Sequence, residues 1–310
     1  MAHFLVINLN PTLQRTVLLP ALVHGEVNRA QSVRIDAAGK GLHAARVLRQ
    51  LGGEACLLTH LGPGKELFLE LCAQEGIGPG WVKSHSPLRT CITLLDEATG
   101  AATEIIEPTE AVASDTVSAF HALLEQELPK AKWLILTGSR AAGYPDDFFV
   151  QICRMALALG IHVVADFHGK ELMECVKLGL RVLKINLVEF AQTFLPRLNV
   201  SEADDAQALE AVECAMAELS HSGCDCVVTR GKRPVLYAHA GSSGRHTPPA
   251  VMQVNPIGSG DAFCAGLTFS LAGGLALPEA VAEGARCGSL NAGFLQPGTI
   301  GAALKTPFSS

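Results

Sequence analysis

The sequence predicts an α/β fold: a doubly wound, mostly parallel sheet flanked by helices, with a small second β-sheet beside it. Three observations carry this. Apolar runs of strand length recur along the 310 residues, most are separated by segments whose apolar positions have helical spacing, and two stretches fit neither pattern. Strands that alternate with helices form parallel sheets covered on both faces, because each crossover lays a helix on the sheet.

In chain order, Phe4 to Leu9 reads as the first strand. Residues 12–36 have little helical periodicity and read as extended chain. Leu42, Ala45, Leu48 and Leu51 mark one face of a helix, and Ala55 to His60 forms the next strand. Residues 87–107 read as a hairpin: Arg89 to Leu95, the turn-prone Asp96-Glu97-Ala98-Thr99-Gly100, then Thr103 to Glu107. The chain is most regular from about Lys130 onward. Strands are expected at Trp133 to Thr137, His162 to Asp166, Val182 to Ile185 and Cys226 to Thr229, and Ala208, Val212, Ala215 and Leu219 share a helical face. Residues 12–36 and 87–107 fit no βαβ unit and are expected to build the small sheet. The whole of 1–310 reads as one domain, with Lys305 to Ser310 a fraying tail.

Hydrophobic residues make up 48% of the chain, ample for a large core. The formal charge is -6 and the isoelectric point about 6.0. That balance offers no broad basic field, so nucleic acid and anionic membrane are poor partners. No apolar run approaches roughly 18 residues, so no membrane-spanning helix is expected. The opening MAHFLVINLNPTLQRTV lacks the charged and apolar regions of a signal peptide. The ten cysteines, at 56, 72, 91, 153, 175, 214, 224, 226, 264 and 287, are irregularly spaced and mostly lie in apolar surroundings. Cys224 and Cys226 form a C-x-C that no second pair completes into a zinc set. A reduced, cytoplasmic chain is expected.

The most informative run is Val254-Asn255-Pro256-Ile257-Gly258-Ser259-Gly260-Asp261-Ala262-Phe263. A strand-like segment leads into Gly-Ser-Gly, and a helix is expected to begin near Asp261. Backbone N–H groups at such a helix N-terminus, free of bulky side chains, bind anions. Aimed at a transferring phosphoryl group, they stabilise its spreading charge. A carboxylate beside them can take the proton of an attacking hydroxyl. A plainer alternative is a loop that ends in an N-cap. A second run, Ala38-Gly39-Lys40-Gly41-Leu42-His43-Ala44-Ala45-Arg46-Val47-Leu48, sets a Gly-Lys-Gly at a helix start, where backbone and ammonium can meet an anion. Gly39 to Ala44 also fits the dinucleotide fingerprint G-x-G-x-x-A, but Ser32-Val33-Arg34-Ile35-Asp36 before it is short and polar, and no acid ends the next strand. The P-loop pattern G-x-x-x-x-G-K-[ST] is absent.

The first of these runs resembles the second signature of the ribokinase-like (PfkB) carbohydrate kinases, N-x-x-G-A-G-D-x-F, with Ser259 in place of Ala. The other run, with Leu51-Gly52 after it, resembles the family's first signature. The likeness runs through nearly the whole chain. Asn10-Pro11 with Thr16-Val17, the loop Gly138-Ser139…Gly143, Asp166…Gly169, and Lys184, Asn186 and Glu189 of K-x-N-x-x-E all look like its phosphosugar branch. Thr229 and Gly231 match the S/T-x-G that lines the nucleotide, and Asn291 falls at a position associated with the adenine pocket. The resemblance implies a ribokinase-like fold whose small sheet, from about 12–36 and 87–107, forms a lid. It also implies ATP and Mg²⁺, with Lys184, Asn186, Thr229, Gly231 and Asn291 at the nucleotide and Asn186 and Glu189 positioning the metal through water. In the catalytic turn Gly258-Ser259-Gly260-Asp261, the backbone N–H groups of Ser259, Gly260 and Asp261 would receive the developing charge, and Asp261 would be the base. Lid sheets in the family pair between protomers, so a homodimer through the lid is expected.

Arg29 in Glu26-Val27-Asn28-Arg29 and Arg89 in Leu88-Arg89-Thr90-Cys91-Ile92 look like the phosphofructokinase and tagatose-6-phosphate kinase subgroup, where such cations hold the phosphate already on the sugar. Thr103-Glu104-Ile105-Ile106-Glu107-Pro108 resembles that subgroup's T-E-x-x-E-P. The resemblance thus implies a sugar-phosphate substrate bound by Gln14, Arg29, Gly39, Lys40, His43, Arg89, Glu107 and Ser139. The product would be a sugar bisphosphate from fructose 1-phosphate, tagatose 6-phosphate or fructose 6-phosphate. The chain departs from the pattern at Gln14, where Asp is usual, at His43 for Asn, Ala38 for Gly, Arg140 for Leu and Ile185 for Pro. Two alternatives stay open: a kinase for a non-phosphorylated sugar or a nucleoside, and a sugar-phosphate-binding regulator without turnover.

Overall fold

The computed structural model describes residues 3–198 and 206–301. The expected fraying tail at Lys305 to Ser310 lies outside them. The chain opens with β1 (His3–Asn8), leaves for β2 (Thr12–Leu19) and β3 (Ser32–Ala38), and returns through α1 (Lys40–Gln50) to β4 (Glu54–Leu61). Helix α2 (Lys65–Gln74) leads to β5 (Gly80–Lys83), and a second excursion makes β6 (Arg89–Asp96) and β7 (Ala101–Ile106). Alternation then takes over: α3 (Ser114–Glu127), β8 (Trp133–Thr137), α4 (Phe148–Ala158), β9 (His162–Asp166), α5 (Lys170–Leu178), β10 (Val182–Asn186), α6 (Leu187–Phe194), α7 (Ala206–His221) and β11 (Asp225–Arg230). The strands β12 (Arg233–His239) and β13 (Ser242–His246) precede the last two helices, α8 (Ser259–Ala272) and α9 (Leu277–Ala292).

The main sheet has nine strands in the order β13-β12-β11-β10-β9-β8-β1-β4-β5. Its pairings are parallel except β11–β12 and β12–β13. Apolar residues line both faces, as buried parallel strands require. In β1, Leu5 and Ile7 point into a core with α3, α4, α5, α6 and α7, while Phe4 and Val6 point into one with α1, α2, α8 and α9. Helix α8 is buried almost all round, because it lies between the sheet, α1 and α9.

The two irregular stretches form a separate four-stranded sheet, in the order β3-β2-β6-β7. β2 pairs antiparallel with β3 and parallel with β6, so segments far apart in sequence are joined. Its register sets Gln14 beside Asp36 and Cys91, and Thr93 beside Thr16 and Glu104. Paired residues share a face. The face with Thr12, Gln14, Thr16, Asp36, Cys91 and Thr93 is buried, and the opposite face leaves Val33, Ile35 and Ile105 exposed.

One sequence expectation is corrected here. No strand precedes Gly258. Residues 251–257 are irregular, with the Val254 and Asn255 N–H groups both donating to the Ala292 carbonyl; α8 begins at Ser259, near Asp261 as expected. Proline at 256 removes a ladder donor, and Asn255 is engaged by its own side chain.

Candidate active site

The two directions in which the main sheet grows part at β1, between β4 and β8. In open α/β sheets the ligand crevice lies beyond the strand C-termini at such a switch point. Here that rim carries Asn8 ending β1 and Asn10 after it, Gly138 and Ser139 after β8, Asp166 ending β9, Lys184 and Asn186 ending β10, and Thr229 in β11.

Helix α1 enters the rim at its N-terminus. Gly39, its N-cap, has φ 127°, and a Cβ there would lie 2.5 Å from Asn8 Oδ1, so only glycine lets α1 start this close to β1. Lys40 follows; its stem packs on Gly138, where a Cβ would lie 3.3 Å from Lys40 Cβ. Arg46, buried on the same helix, forms an ion pair with Glu75 and donates to the Ala37 carbonyl (2.9 Å) and the Pro297 carbonyl (2.6 Å). This ties α1 to the loop that supports the second helix.

Helix α8 supplies that second N-terminus. Its N-cap Gly258 has φ 82°, and a Cβ there would meet Pro297 Cβ at 2.9 Å. Asn255 fixes the approach: its Oδ1 accepts from the Ile257 N–H (3.1 Å) and its Nδ2 donates to the Leu295 carbonyl (2.8 Å). Asn291 braces the turn from α9. It donates to the Ile257 carbonyl (2.8 Å) and Ser259 Oγ (3.1 Å), and accepts from the Gly298 N–H (2.6 Å). Fully buried and so engaged, Asn291 holds the turn from within. The Ser259 N–H also turns inward, donating to the Pro256 carbonyl at 3.2 Å. Helix geometry leaves the next two N–H groups, of Gly260 and Asp261, without intrahelical acceptors.

Charged side chains converge on the turn. Lys184 Nζ donates to Asp166 Oδ2 at 3.0 Å, and both are buried. A Cβ on Gly260 would come within 3.1 Å of that ammonium, so Lys184 lies directly beneath the turn. Asp261 is buried, and His43 Nδ1 lies 2.8 Å from its Oδ2. Burial works against the charge of Lys40, but the carboxylates of Asp166, Asp261 and Glu189 outweigh it and hold its pKa above the ordinary lysine range. Burial raises Asp166, and the ammonium groups of Lys184 and Lys40 oppose that rise. From the small sheet, Glu104 faces the same charges while open to the cleft. Partial burial raises its pKa, His43 lowers it, Asp261 raises it and Lys40 lowers it.

Ser139 Oγ accepts from Asn10 Nδ2 at 3.0 Å. Together with Lys40, Arg140, Tyr144, His168 and Glu171 it lines a cavity of about 650 Å³. Arg140, where a Leu was the expected type, is paired with Glu171 (2.9 Å) and donates to the carbonyls of Tyr144, Pro145 and Asp146, which fixes the loop after β8. Asn186 and Glu189 make a reciprocal capping box at α6, with Glu189 N–H donating to Asn186 Oδ1 at 2.8 Å. Thr229 Oγ1 lies 3.5 Å from the Ile185 carbonyl, and Gly231 follows β11 with φ 59°.

The small sheet brings some expected residues to the cleft and not others. Gln14 Nε2 donates to Thr93 Oγ1 at 2.8 Å on the buried face. Arg89 pairs with Thr12 at the end of the sheet nearest α1, and its Nε is buried without a partner. The Glu107 carboxylate accepts from the Thr90 N–H (2.7 Å) and closes the base of the hairpin. Arg29 does not join them. It is exposed in the β2–β3 connection, at the opposite end of the sheet from the Thr12–Ala38 pair, so within one chain no clamp of Arg29, Lys40 and Arg89 forms. At roughly 3.4 Å per residue, six residues of β-ladder separate that end from the cleft by about 20 Å.

Three participants were not singled out from the sequence. Asn10 orients Ser139. Asp36 sits beside Gln14 but is already held by Arg34 (2.8 Å) and Gln296 (2.9 Å). Glu104 is the residue of the Thr103–Pro108 run that faces the charges of the cleft. Strand alternation could have found it, since it is opposite Thr93 on the face of Gln14.

The model of the pfkB family of carbohydrate kinases matches residues 8–302, and the chain belongs to that family. It is accordingly a sugar kinase of the ATP-dependent kind that defines the family. Among solved structures, the phosphofructokinase-2 of Escherichia coli in complex with fructose-6-phosphate is 24% identical, with a TM-score of 0.81 over 93% of each chain. The tetrameric inhibited form of the same enzyme gives 0.80 at 23% identity, over 94% of each. A protein described as a possible 1-phosphofructokinase from Thermotoga maritima gives 0.83 at 19% identity, covering 95% of this chain and 93% of that one. Ribokinase from Thermotoga maritima gives 0.73 at 19%, covering 96% and 95%. These likenesses establish the ribokinase-like fold.

Proposed function

We propose that this kinase phosphorylates a hydroxyl of a phosphorylated ketohexose, of the kind of fructose 1-phosphate, tagatose 6-phosphate or fructose 6-phosphate, to give a sugar bisphosphate. The observation that carries the reading is Arg89 at the base of the small sheet, whose Nε is buried without a partner, on the side that bears Gln14, with Lys40 and Ser139 on the cavity across the cleft. A buried, unpaired guanidinium N–H is costly, and a phosphate on the substrate would satisfy it.

The residues present fit ATP. The N–H groups of Gly260 and Asp261 open an α8 terminus whose φ-positive Gly258 leaves no side chain in the way, and Lys184 lies beneath. They also fit a sparsely coordinated, wet Mg²⁺. Among the described residues no group of three or more His, Cys, Asp or Glu could cage a metal, so Asn186 and Glu189 would hold it through water and the phosphates would complete its shell. The metal would supply charge neutralisation on the transferring phosphoryl group.

The chain's own part follows from the geometry. Lys40 keeps its proton, because the surrounding carboxylates favour the ammonium, and offers it to anionic oxygens. The Asp261 carboxylate accepts the proton of the attacking hydroxyl. The Gly260 and Asp261 N–H groups meet the developing charge. The small sheet, bearing Gln14, Arg89 and Glu104, acts as a lid that excludes water from the transfer.

A kinase for a plain sugar or nucleoside is the second reading, and the distance of Arg29 from the cleft favours it. A coupled ADP-release panel separates the two. Fructose 1-phosphate, fructose 6-phosphate and tagatose 6-phosphate should outpace fructose, ribose and adenosine in kcat/KM; the reverse order would overturn the phosphosugar reading, and ligand-induced stabilisation without ADP release would favour a regulator. We further propose a homodimer through the lid, whose outer face leaves Val33, Ile35 and Ile105 exposed. A cytoplasmic location is proposed as well: all ten cysteines are free, and among the described residues no helix is long and apolar enough to cross a membrane.

A further inference from the structure

His43 lies in the first turn of α1, where the resembled signature has Asn. Its ring is buried, with Nδ1 2.8 Å from Asp261 Oδ2. Its other nitrogen, Nε2, is buried without any partner in the protein. An ionised carboxylate only accepts hydrogen bonds. The Asp261 partner therefore fixes the tautomer: in the neutral ring Nδ1 carries the hydrogen and donates to Oδ2, and Nε2 is a bare acceptor. A buried acceptor left unpaired costs about 1–3 kcal/mol. The other charged groups around the pair are Glu104, which faces both His43 and Asp261, and Lys40, which faces Asp261. Neither is bonded to Nε2.

Resting on the kinase reading above, we propose that His43 has two separable tasks: Nδ1–H orients the Asp261 carboxylate, and Nε2 accepts a hydrogen bond from a substrate hydroxyl. Fixing Oδ2 leaves Oδ1 to face the attacking hydroxyl. In the step, the sugar oxygen forms a bond to the γ-phosphorus of ATP, and the bond from that phosphorus to the bridging oxygen breaks, its electron pair leaving with ADP. The hydroxyl proton passes to Asp261 Oδ1. His43 takes up no proton in this step, so it is a positioning residue for the base and a specificity contact for the sugar. An Asn could imitate the donor at Nδ1 but has no atom where Nε2 lies. The acceptor there is consequently a feature of this chain's pocket that the resembled pattern lacks, and it selects for a sugar with a hydroxyl at that point.

Two substitutions divide the tasks. His43→Asn keeps a donor near Nδ1 and removes Nε2; His43→Gln keeps a polar atom near Nε2 and removes the donor to Asp261. Both are checked for an unchanged melting profile and assayed with the fastest substrate among fructose 1-phosphate, fructose 6-phosphate and tagatose 6-phosphate. His43→Asn should raise KM about 3- to 10-fold with kcat nearly unchanged, as loss of one hydrogen bond predicts. His43→Gln should lower kcat about tenfold or more with KM nearly unchanged, because the base loses its alignment. Equal changes in both variants, or none in either, would overturn the division. Nitrogen-15 NMR of the His43 ring provides a readout without turnover: a protonated Nδ1 and a bare Nε2 in the free protein, with Nε2 shifting on addition of fructose 6-phosphate, is expected. A protonated Nε2 would overturn the proposal. Wild-type protein that turns over none of the three sugars would sink the kinase reading instead, and the ring spectrum would still decide the His43–Asp261 bond.

Discussion

Replacing Arg89 with Ala tests the substrate class at a single side chain. Its Nε has no protein partner, and Nη1 has only a 3.5 Å approach to the Glu107 carbonyl. The guanidinium thus has donors to give to a phosphate, and charge-assisted bonds of that kind are worth about 1.5–3 kcal/mol. Removing them should cut kcat/KM for a sugar phosphate about 10- to 150-fold. The hairpin itself should survive, since its base is closed by the Thr90 N–H bond to the Glu107 carboxylate and by the backbone ladder to β2. The assay is coupled ADP release with fructose 1-phosphate, fructose 6-phosphate and fructose side by side. A loss confined to the phosphorylated sugars is expected. An equal loss for fructose would reduce Arg89 to a structural role, and no loss at all would refute a phosphate contact at Arg89.

Two further perturbations probe the scaffold. His60 is buried against Tyr144, their side chains 2.9 Å apart, and burial lowers its pKa from the ordinary 6.5 to about 4. The unfolded chain takes up that proton first as pH falls, so stability should drop between pH 6.5 and 4 by about 3 kcal/mol from this group; in urea titrations His60→Gln should flatten that slope, and an unchanged slope would contradict the burial argument. Gly258→Ala forces a side chain into the left-handed region, at about 1–2 kcal/mol, and against Pro297, at about 1–3 kcal/mol. A lowered urea midpoint with a parallel loss of kcat is expected, and wild-type values for both would show that the turn is not held as described.

How far the fold could be read in advance differed from element to element, for physical reasons. β1, β8, β9, β10 and β11 are buried on both faces, so their unbroken apolar runs announced them. β5, with its short sequence Gly80-Trp81-Val82-Lys83 half exposed at the sheet edge, carried no such signal. β12 and β13 follow only after β11 turns back, and polar residues in Ser242–His246 disguise the last strand. The two excursions were legible as strands because they lacked helical spacing, whereas their union through β2 and β6 depends on tertiary pairing no local pattern encodes. At the site, the Gly-rich turns located the helix termini. The pairing of His43 with Asp261, the inward-facing Asn291 and the remote Arg29 could not be read, because each depends on where a side chain points after folding.

The proposed transfer needs a carboxylate that receives a proton beside a helix terminus that receives charge. Asp261→Asn alters that carboxylate with the least disturbance, since the amide oxygen can still accept from His43 Nδ1–H. With the fold verified by circular dichroism and melting, single-turnover phosphoryl transfer to the best sugar phosphate should slow about 10²- to 10⁴-fold, with substrate affinity largely kept. Transfer within a few-fold of the wild-type rate would mean that the proton leaves by another route, and that Asp261 is not the base.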